Sequence, residues 1–313
     1  MFLQRGRLEM KAPLVLELKG NSLDDGPGIR TAIFFKGCPL SCIWCHNPES
    51  KRTESELSVS LDDCIGCGTC EKTCPEGAAS PKREGIVDRS RCTLCFKCTE
   101  TCPPKALQRV GKEYEIEDIV EKCVRDKPFY DVSGGGVTLT GGEATLFPEW
   151  VGALAKALVE QGIHVHLETC GCFNYEKIKE YLLPYISSIY MDIKIFASEA
   201  HKKYCGVTNE LILKNFELLL SDSKEMGFSI LPRTPLIPDI TDTDENLTAI
   251  AGFYNKLGVT ETELLPYNPT WYKKTAKLGL EIDKELQGLD HWQSKEKIEH
   301  CKSIFTDRNI ECI

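Results

Sequence analysis

The chain has 313 residues, enough for one large hydrophobic core with a small satellite. Apolar residues make up 42% and charged residues 27%, which excludes a wholly disordered or fibrous protein. The net charge of −9 argues against a general nucleic-acid binder. No run approaches the ~18 apolar residues of a membrane helix, and the N-terminal residues show no secretory pattern. The count of 17 cysteines is unusual, and without a signal peptide it indicates metal rather than disulfides.

In chain order, the first predicted strand is Thr31–Lys36, and it runs into the sequence GCPLSCIWCHNPE. This segment spaces Cys38, Cys42 and Cys45 as C-x3-C-x2-C with no fourth cysteine nearby. Three thiolates on an iron–sulfur cubane leave one iron without a protein ligand, and an open metal position is a chemical site. Trp44 inside the loop reads as an apolar shield.

A segment from Ser60 to Gln108 follows, rich in Cys, Pro and Gly and with little helical or strand periodicity. It holds two copies of C-x2-C-x2-C-x3-C-P, CIGCGTCEKTCP and CTLCFKCTETCP, the bacterial ferredoxin run. In such runs the fourth cysteine ligates the other cluster. One [4Fe–4S] cluster is therefore expected on Cys64, Cys67, Cys70 and Cys102, and a second on Cys92, Cys95, Cys98 and Cys74. Zinc also suits C-x2-C pairs, but a zinc site does not need the doubled 2-2-3 pattern.

Beyond this segment, predicted helices and strands alternate. The helices are Ile116–Arg125, Pro148–Gln161, Asn174–Leu183, Asn209–Met226, Asp244–Leu257 and Lys295–Thr306. The further strands are Val137–Thr140, His164–Thr169, Ser188–Ile193, Phe228–Arg233 and Glu263–Tyr267. Regular β–α alternation predicts a parallel sheet with right-handed crossovers. Six units are too few for a closed eightfold barrel, so the expected fold is α/β, a partial (β/α)6 TIM-like barrel with an inserted bacterial-ferredoxin-like domain. The expected division is 1–59 for the barrel start and cluster loop, 60–108 for the insertion, and 109–313 for the remainder.

Chemistry in such sheets gathers at the C-terminal strand ends, where the triplet begins. The same rim carries Gly141-Gly142-Glu143, Glu168-Thr169, Asp192, Lys194 and Arg233. Glycines allow close backbone approach, carboxylates accept from an ammonium, and the two cations can meet a carboxylate. Other features read as structural. The glycines at 134–136 flank a strand rather than open a helix, so no dinucleotide loop is expected. His164 and His166 suggest no third ligand and read as core or rim histidines. Cys170 and Cys172 read as spare thiols.

The triplet resembles the signature of radical S-adenosylmethionine enzymes. Asp25-Gly26-Pro27-Gly28-Ile29-Arg30-Thr31 and Cys45-His46-Asn47-Pro48-Glu49 resemble the glycyl radical enzyme activases, from about Ser22 to Tyr267. The double-cluster insertion is similar to the longer branch of that family, which activates dehydratases, lyases and decarboxylases. The resemblance implies that Cys38, Cys42 and Cys45 hold a catalytic [4Fe–4S] cluster, giving three clusters in all. It implies that S-adenosylmethionine chelates the open iron and meets Gly141, Gly142, Glu143, Asp192, Lys194, Arg233 and Asn47. The family's monovalent cation site would fall at Glu168-Thr169, where Glu replaces the usual Asp. The position that is His in the short activase is Asn268 here.

The implied reaction delivers one electron, from an external flavodoxin or ferredoxin, to cleave the sulfonium and form a 5′-deoxyadenosyl radical. That radical takes a hydrogen from a glycine Cα of a partner glycyl radical enzyme. A cytoplasmic protein of an anaerobe is expected. Two other readings are a pure electron carrier and a radical enzyme acting on another peptide or small molecule, such as a sulfatase maturase. A carrier gains nothing from an open iron, and a maturase usually carries its extra clusters after the barrel.

Overall fold

The computed structural model describes residues 11–313. The chain forms β1 (Val15–Ser22), β2 (Arg30–Phe35), β3 (Glu56–Val59), α1 (Thr69–Thr73), α2 (Lys97–Thr101) and β4 (Leu107–Val110). Then come α3 (Ile116–Ser133), β5 (Gly136–Gly141), α4 (Pro148–Glu160), β6 (Val165–Thr169), α5 (Tyr175–Tyr181), β7 (Ser188–Asp192) and α6 (Ser198–Cys205). The chain closes with α7 (Glu210–Met226), β8 (Ser229–Pro235), α8 (Asp244–Leu257), β9 (Glu261–Leu265), α9 (Trp271–Lys277), α10 (Lys295–Thr306) and β10 (Glu311–Cys312).

The main sheet has eight strands in the order β1-β2-β5-β6-β7-β8-β9-β10. Neighbours from β2 to β10 pair in parallel, and β1 pairs antiparallel to β2 at the edge. The six predicted strands are the six from β2 to β9 in this sheet. β1 and β10, which the sequence pattern did not reveal, add one strand at each edge.

Helices form where the sequence supplies caps and an apolar face. Thr243 caps α8 by accepting from the Asn246 amide, Asp244 and Glu245 favour its positive N-terminal end, and Gly258 ends it in the left-handed region. α3 runs eight residues past its expected end at Arg125, through Pro128, to Gly134 as its C-cap. A proline forfeits one helical bond, and here the packing of Ile119, Cys123 and Tyr130 outweighs that loss.

The central strands are buried on both faces, as a covered parallel sheet requires. Several residues buried within them are polar. Arg30 is fully buried and donates to Thr138 Oγ1 (2.6 Å), the Pro27 carbonyl (2.9 Å) and the Val137 carbonyl (2.8 Å). Asp25–Thr31 therefore sits where β2 begins, at the opposite end of the strand from the triplet.

The segment between β3 and β4 has its own small apolar cluster, built from cysteines and a few residues such as Leu57, Ile86, Val87 and Leu107. β3 and β4 pair antiparallel, with Val59 opposite Leu107, so the two ends of this segment meet as a ribbon. Buried Lys36, at the end of β2, bonds Glu56 of β3 at 2.6 Å and ties the ribbon to the main sheet.

Candidate active site

The triplet loop leaves β2 at its C-terminal end and is stitched down on two sides. Gly37 and Cys38 amides donate to the Ser50 and Lys51 carbonyls, and Ser41 and Ile43 amides donate to the Cys205 and Tyr204 carbonyls at the end of α6. Lys51 Nζ reaches the Cys42 carbonyl at 2.8 Å. Trp44 is buried and tilted against Tyr204, as a shield should be.

Gly141 and Gly142 serve this loop directly. A Cβ on Gly141 would lie 2.4 Å from the Phe35 amide, and one on Gly142 would lie 2.2 Å from the Gly37 carbonyl. The Gly142 amide donates to Phe35 and the Glu143 amide to Gly37. The two glycines thus let β5 press against the root of the triplet loop, a reason that spacing alone did not supply.

Five cysteines gather here. The Cys205 thiol beside it draws Cys42 below the ordinary thiol range, while burial and the nearby Cys42 push Cys45 up to about 12. The adjacent Cys38 thiol, then burial, pushes Cys170 well above the ordinary thiol range. Cys205 and Cys170 were missed as partners of the triplet. Cys170 was read as a spare thiol, and neither shares a spacing with the triplet; the close approach exists only once α6 and β6 are folded.

The other rim residues form one network. Arg233 donates through Nη1 to Glu168 Oε1 (2.7 Å) and through Nε to Asp192 Oδ1 (3.1 Å). Lys194 donates to Asp192 Oδ2 (2.7 Å), and Thr140 donates to Glu168 Oε2 (2.6 Å). Burial alone would raise the Asp192 carboxyl, but Lys194 and Arg233 more than offset it and hold it below its ordinary value. Glu143 is buried and bonded by Thr145 Oγ1 (2.6 Å), Thr169 Oγ1 (2.8 Å) and the Cys170 amide (2.7 Å). Its carboxylate braces the turn after β6. Glu168 and Thr169 do not converge, because the first belongs to the Arg233 network and the second to Glu143. Asn47 Oδ1 accepts from Lys274 at 2.7 Å, at the outer side of the triplet loop.

In the inserted segment, one cavity is lined by Cys64, Cys67, Cys70 and Cys102 and another by Cys74, Cys92, Cys95 and Cys98. Each thus takes three thiols from one run and the fourth from the other. Burial, with Cys64 and Cys102 adding to it, raises the Cys70 thiol. Burial with Cys92, Cys74 and Cys95 pushes Cys98 up to about 11. Soft thiol donors in fours around small apolar cavities fit an iron–sulfur cubane. His166 is a core histidine with Nδ1 2.7 Å from Ser188 Oγ, and its Nε2 has no hydrogen-bond partner. Among the described residues, no three His, Cys, Asp or Glu groups converge on a single metal ion. Likewise, no helix among them is long and apolar enough to cross a membrane.

Known proteins agree with this architecture. The Radical SAM superfamily profile matches residues 89–249, and a 4Fe-4S binding domain profile matches residues 57–80. The triplet lies outside both matches. The trans-4-hydroxy-L-proline dehydratase activating enzyme of Clostridioides difficile is 36% identical over 307 residues, covering 95% of this chain and 97% of the relative. The (2S)-3-sulfopropanediol dehydratase activating enzyme of Klebsiella oxytoca is 35% identical over 309 residues, covering 96% of each. The benzylsuccinate synthase activating enzyme of Thauera aromatica is 34% identical over 290 residues, covering 90% of this chain and 86% of the relative. Streptococcus suis SuiB bound to its precursor peptide shares the fold, with a TM-score of 0.52 at 14% identity over 92% of this chain and 48% of that one. These are radical S-adenosylmethionine folds. The chain belongs to the glycyl radical enzyme activating enzymes of that superfamily.

Proposed function

We propose that this chain installs a glycyl radical on a partner glycyl radical enzyme. The observation that carries the reading is the triplet loop, held at the rim beside Asp192, Lys194 and Arg233 and lacking a fourth cysteine in its own spacing. Cys38, Cys42 and Cys45 would hold a [4Fe–4S] cluster whose open iron takes S-adenosylmethionine. When bound, that pair supplies one-electron cleavage of a sulfonium and the hydrogen-abstracting radical that follows. The chain's own residues bind and orient. Lys194 and Arg233 present positive charge to the cofactor carboxylate, Asp192 balances them, and Gly141 and Gly142 hold the loop root. Trp44 excludes water from the thiolates.

Residues 60–108 form a ferredoxin-like insertion in this reading. Cys64, Cys67, Cys70 and Cys102 hold one auxiliary cluster, Cys92, Cys95, Cys98 and Cys74 another, so the protein carries three. The strands from β2 to β9 form a partial barrel open at its side, which suits a peptide substrate. The external reductant is a flavodoxin or ferredoxin. A monovalent cation at Glu168-Thr169 would share Glu168 with Arg233 and Thr169 with Glu143.

Cys38→Ala tests the reading. Reductive cleavage of S-adenosylmethionine should be lost while the redox signals of the inserted clusters remain. Cleavage that persists in this variant would overturn the assignment. A glycyl radical detected by electron paramagnetic resonance on a candidate partner identifies the substrate.

A further inference from the structure

Arg89 has no part in the chemistry above, yet it spans the joint between the insertion and the C-terminal part of the chain. Its guanidinium donates through Nη1 to the Leu57 carbonyl of β3 (3.1 Å) and through Nη2 to the Lys277 carbonyl that ends α9 (3.0 Å). The backbone there is cut to receive it. Gly279 has φ +68°, and a Cβ on it would lie 2.3 Å from Arg89 Nε. A cleft of about 300 Å³ beside this joint is lined by Cys92 and Leu94 on one side and by Leu278 and Leu280 on the other. Cys92 and Leu94 also line the second auxiliary cavity, as does Leu57, whose carbonyl Arg89 holds.

One turn earlier, α9 reaches the residues that follow the triplet. Lys274 Nζ donates to Asn47 Oδ1 at 2.7 Å and pairs with Glu49 at 3.3 Å, while Trp271 is buried beneath. One short helix is therefore held at Lys277 by the insertion and at Lys274 by the loop that carries Cys45.

We propose that α9 is a strut and that Arg89 is a positioning residue that sets, through α9, the place of Asn47 at the cofactor. The inference rests on the reading that Asn47 meets S-adenosylmethionine. It makes cofactor affinity depend on a residue of the insertion that touches neither cofactor nor triplet.

The test is a double-mutant cycle on the full-length, cluster-loaded protein, kept oxidised so that no turnover occurs. The dissociation constant of S-adenosylmethionine is measured by equilibrium dialysis for Arg89→Met, Lys274→Met and the pair. Each single change should weaken binding about tenfold, and the pair should be no weaker than the poorer single, because both cut the same strut. Arg89→Lys should recover part of the loss. If Arg89→Met sheds auxiliary iron, Gly279→Ala displaces the same guanidinium and carries the same expectation. Factors that multiply, or an Arg89→Met protein that binds like wild type, overturn the strut alone. A wild-type protein that binds no S-adenosylmethionine overturns the functional reading and the strut with it.

Discussion

Glu168 on β6 accepts a 2.7 Å bond from Arg233 on β8, reaching across the intervening strand β7. The same guanidinium holds Asp192, which Lys194 also bonds, so two half-buried carboxylates share one cation and Glu168 has no other. Arg233→Met should therefore destabilise the protein by about 2–3 kcal/mol, since it leaves half-buried Glu168 without a counter-charge and Asp192 with Lys194 alone. Glu168→Gln keeps an acceptor for Thr140 and should cost less, about 1–2 kcal/mol. Urea denaturation of the cluster-free protein measures both. An Arg233→Met protein as stable as wild type would mean that water, not the guanidinium, satisfies these carboxylates.

Acid should weaken the fold partly through His166. Burial, then Arg30 and Arg233, keeps its imidazole well below the ordinary range, so the folded protein holds it neutral. The unfolded chain binds that proton near pH 6.5 and the folded chain does not. The contribution is complete above that pH and declines below it, at up to about 1.4 kcal/mol per pH unit. Other histidines add to the slope, so the decisive quantity is the difference between wild type and His166→Gln from pH 7.5 to 5.5. His166→Gln should show the shallower decline; equal slopes would refute the assignment.

Removal of Cys74 should disturb the auxiliary site that it does not adjoin in sequence. Cys74→Ala should lose the signal of the cluster on Cys92, Cys95 and Cys98, with about four irons lost, and retain that on Cys64, Cys67, Cys70 and Cys102. Cys102→Ala should do the reverse. Iron counts and paramagnetic resonance of the two variants decide it, and loss of the local cluster in each would reverse the pairing.

The two runs repeat in backbone as well as in cysteines. Gly66, Gly68 and Gly77 have φ of 70°, 74° and 56°, and their counterparts Leu94, Phe96 and Lys105 have 55°, 57° and 58°. Leu94 and Phe96 cover the second cavity, and Arg109 lies over the Phe96 ring, so their strain is offset by contacts. Lys105 is exposed, and its side chain makes only a long 3.5 Å bond to the Thr99 carbonyl. Lys105→Gly should raise stability by about 0.5–1 kcal/mol, read as a shift in melting temperature of the holoprotein. A fall in melting temperature would show that Lys105 makes contacts worth more than its strain.

Much of this fold was legible because its signals are local. The six parallel strands announced themselves by apolar runs between amphipathic helices, and α8 and α10 have the predicted boundaries. The thiol lining of the two inserted cavities followed from spacing, because a cubane constrains its ligands tightly. What was missed depends on distant parts of the chain. β3 and β4 are four residues each and exist by pairing with each other. α6 is short, and its importance lies in the carbonyls that hold Ser41 and Ile43. The Asp25–Thr31 motif gave its family in sequence but not its place, which the bonds of Arg30 fix at the start of β2. Glu143 is expected at the cofactor, and its side chain also braces Thr169 and Cys170, a commitment visible only when β5 and β6 lie side by side.

The ribbon of β3 and β4 has a modular consequence. Val59 and Leu107 face one another, so the backbone departs from and returns to the main sheet through a single doorway. The inserted segment therefore enters and leaves the chain at one place, and its length can vary without shifting the register of β2 against β5.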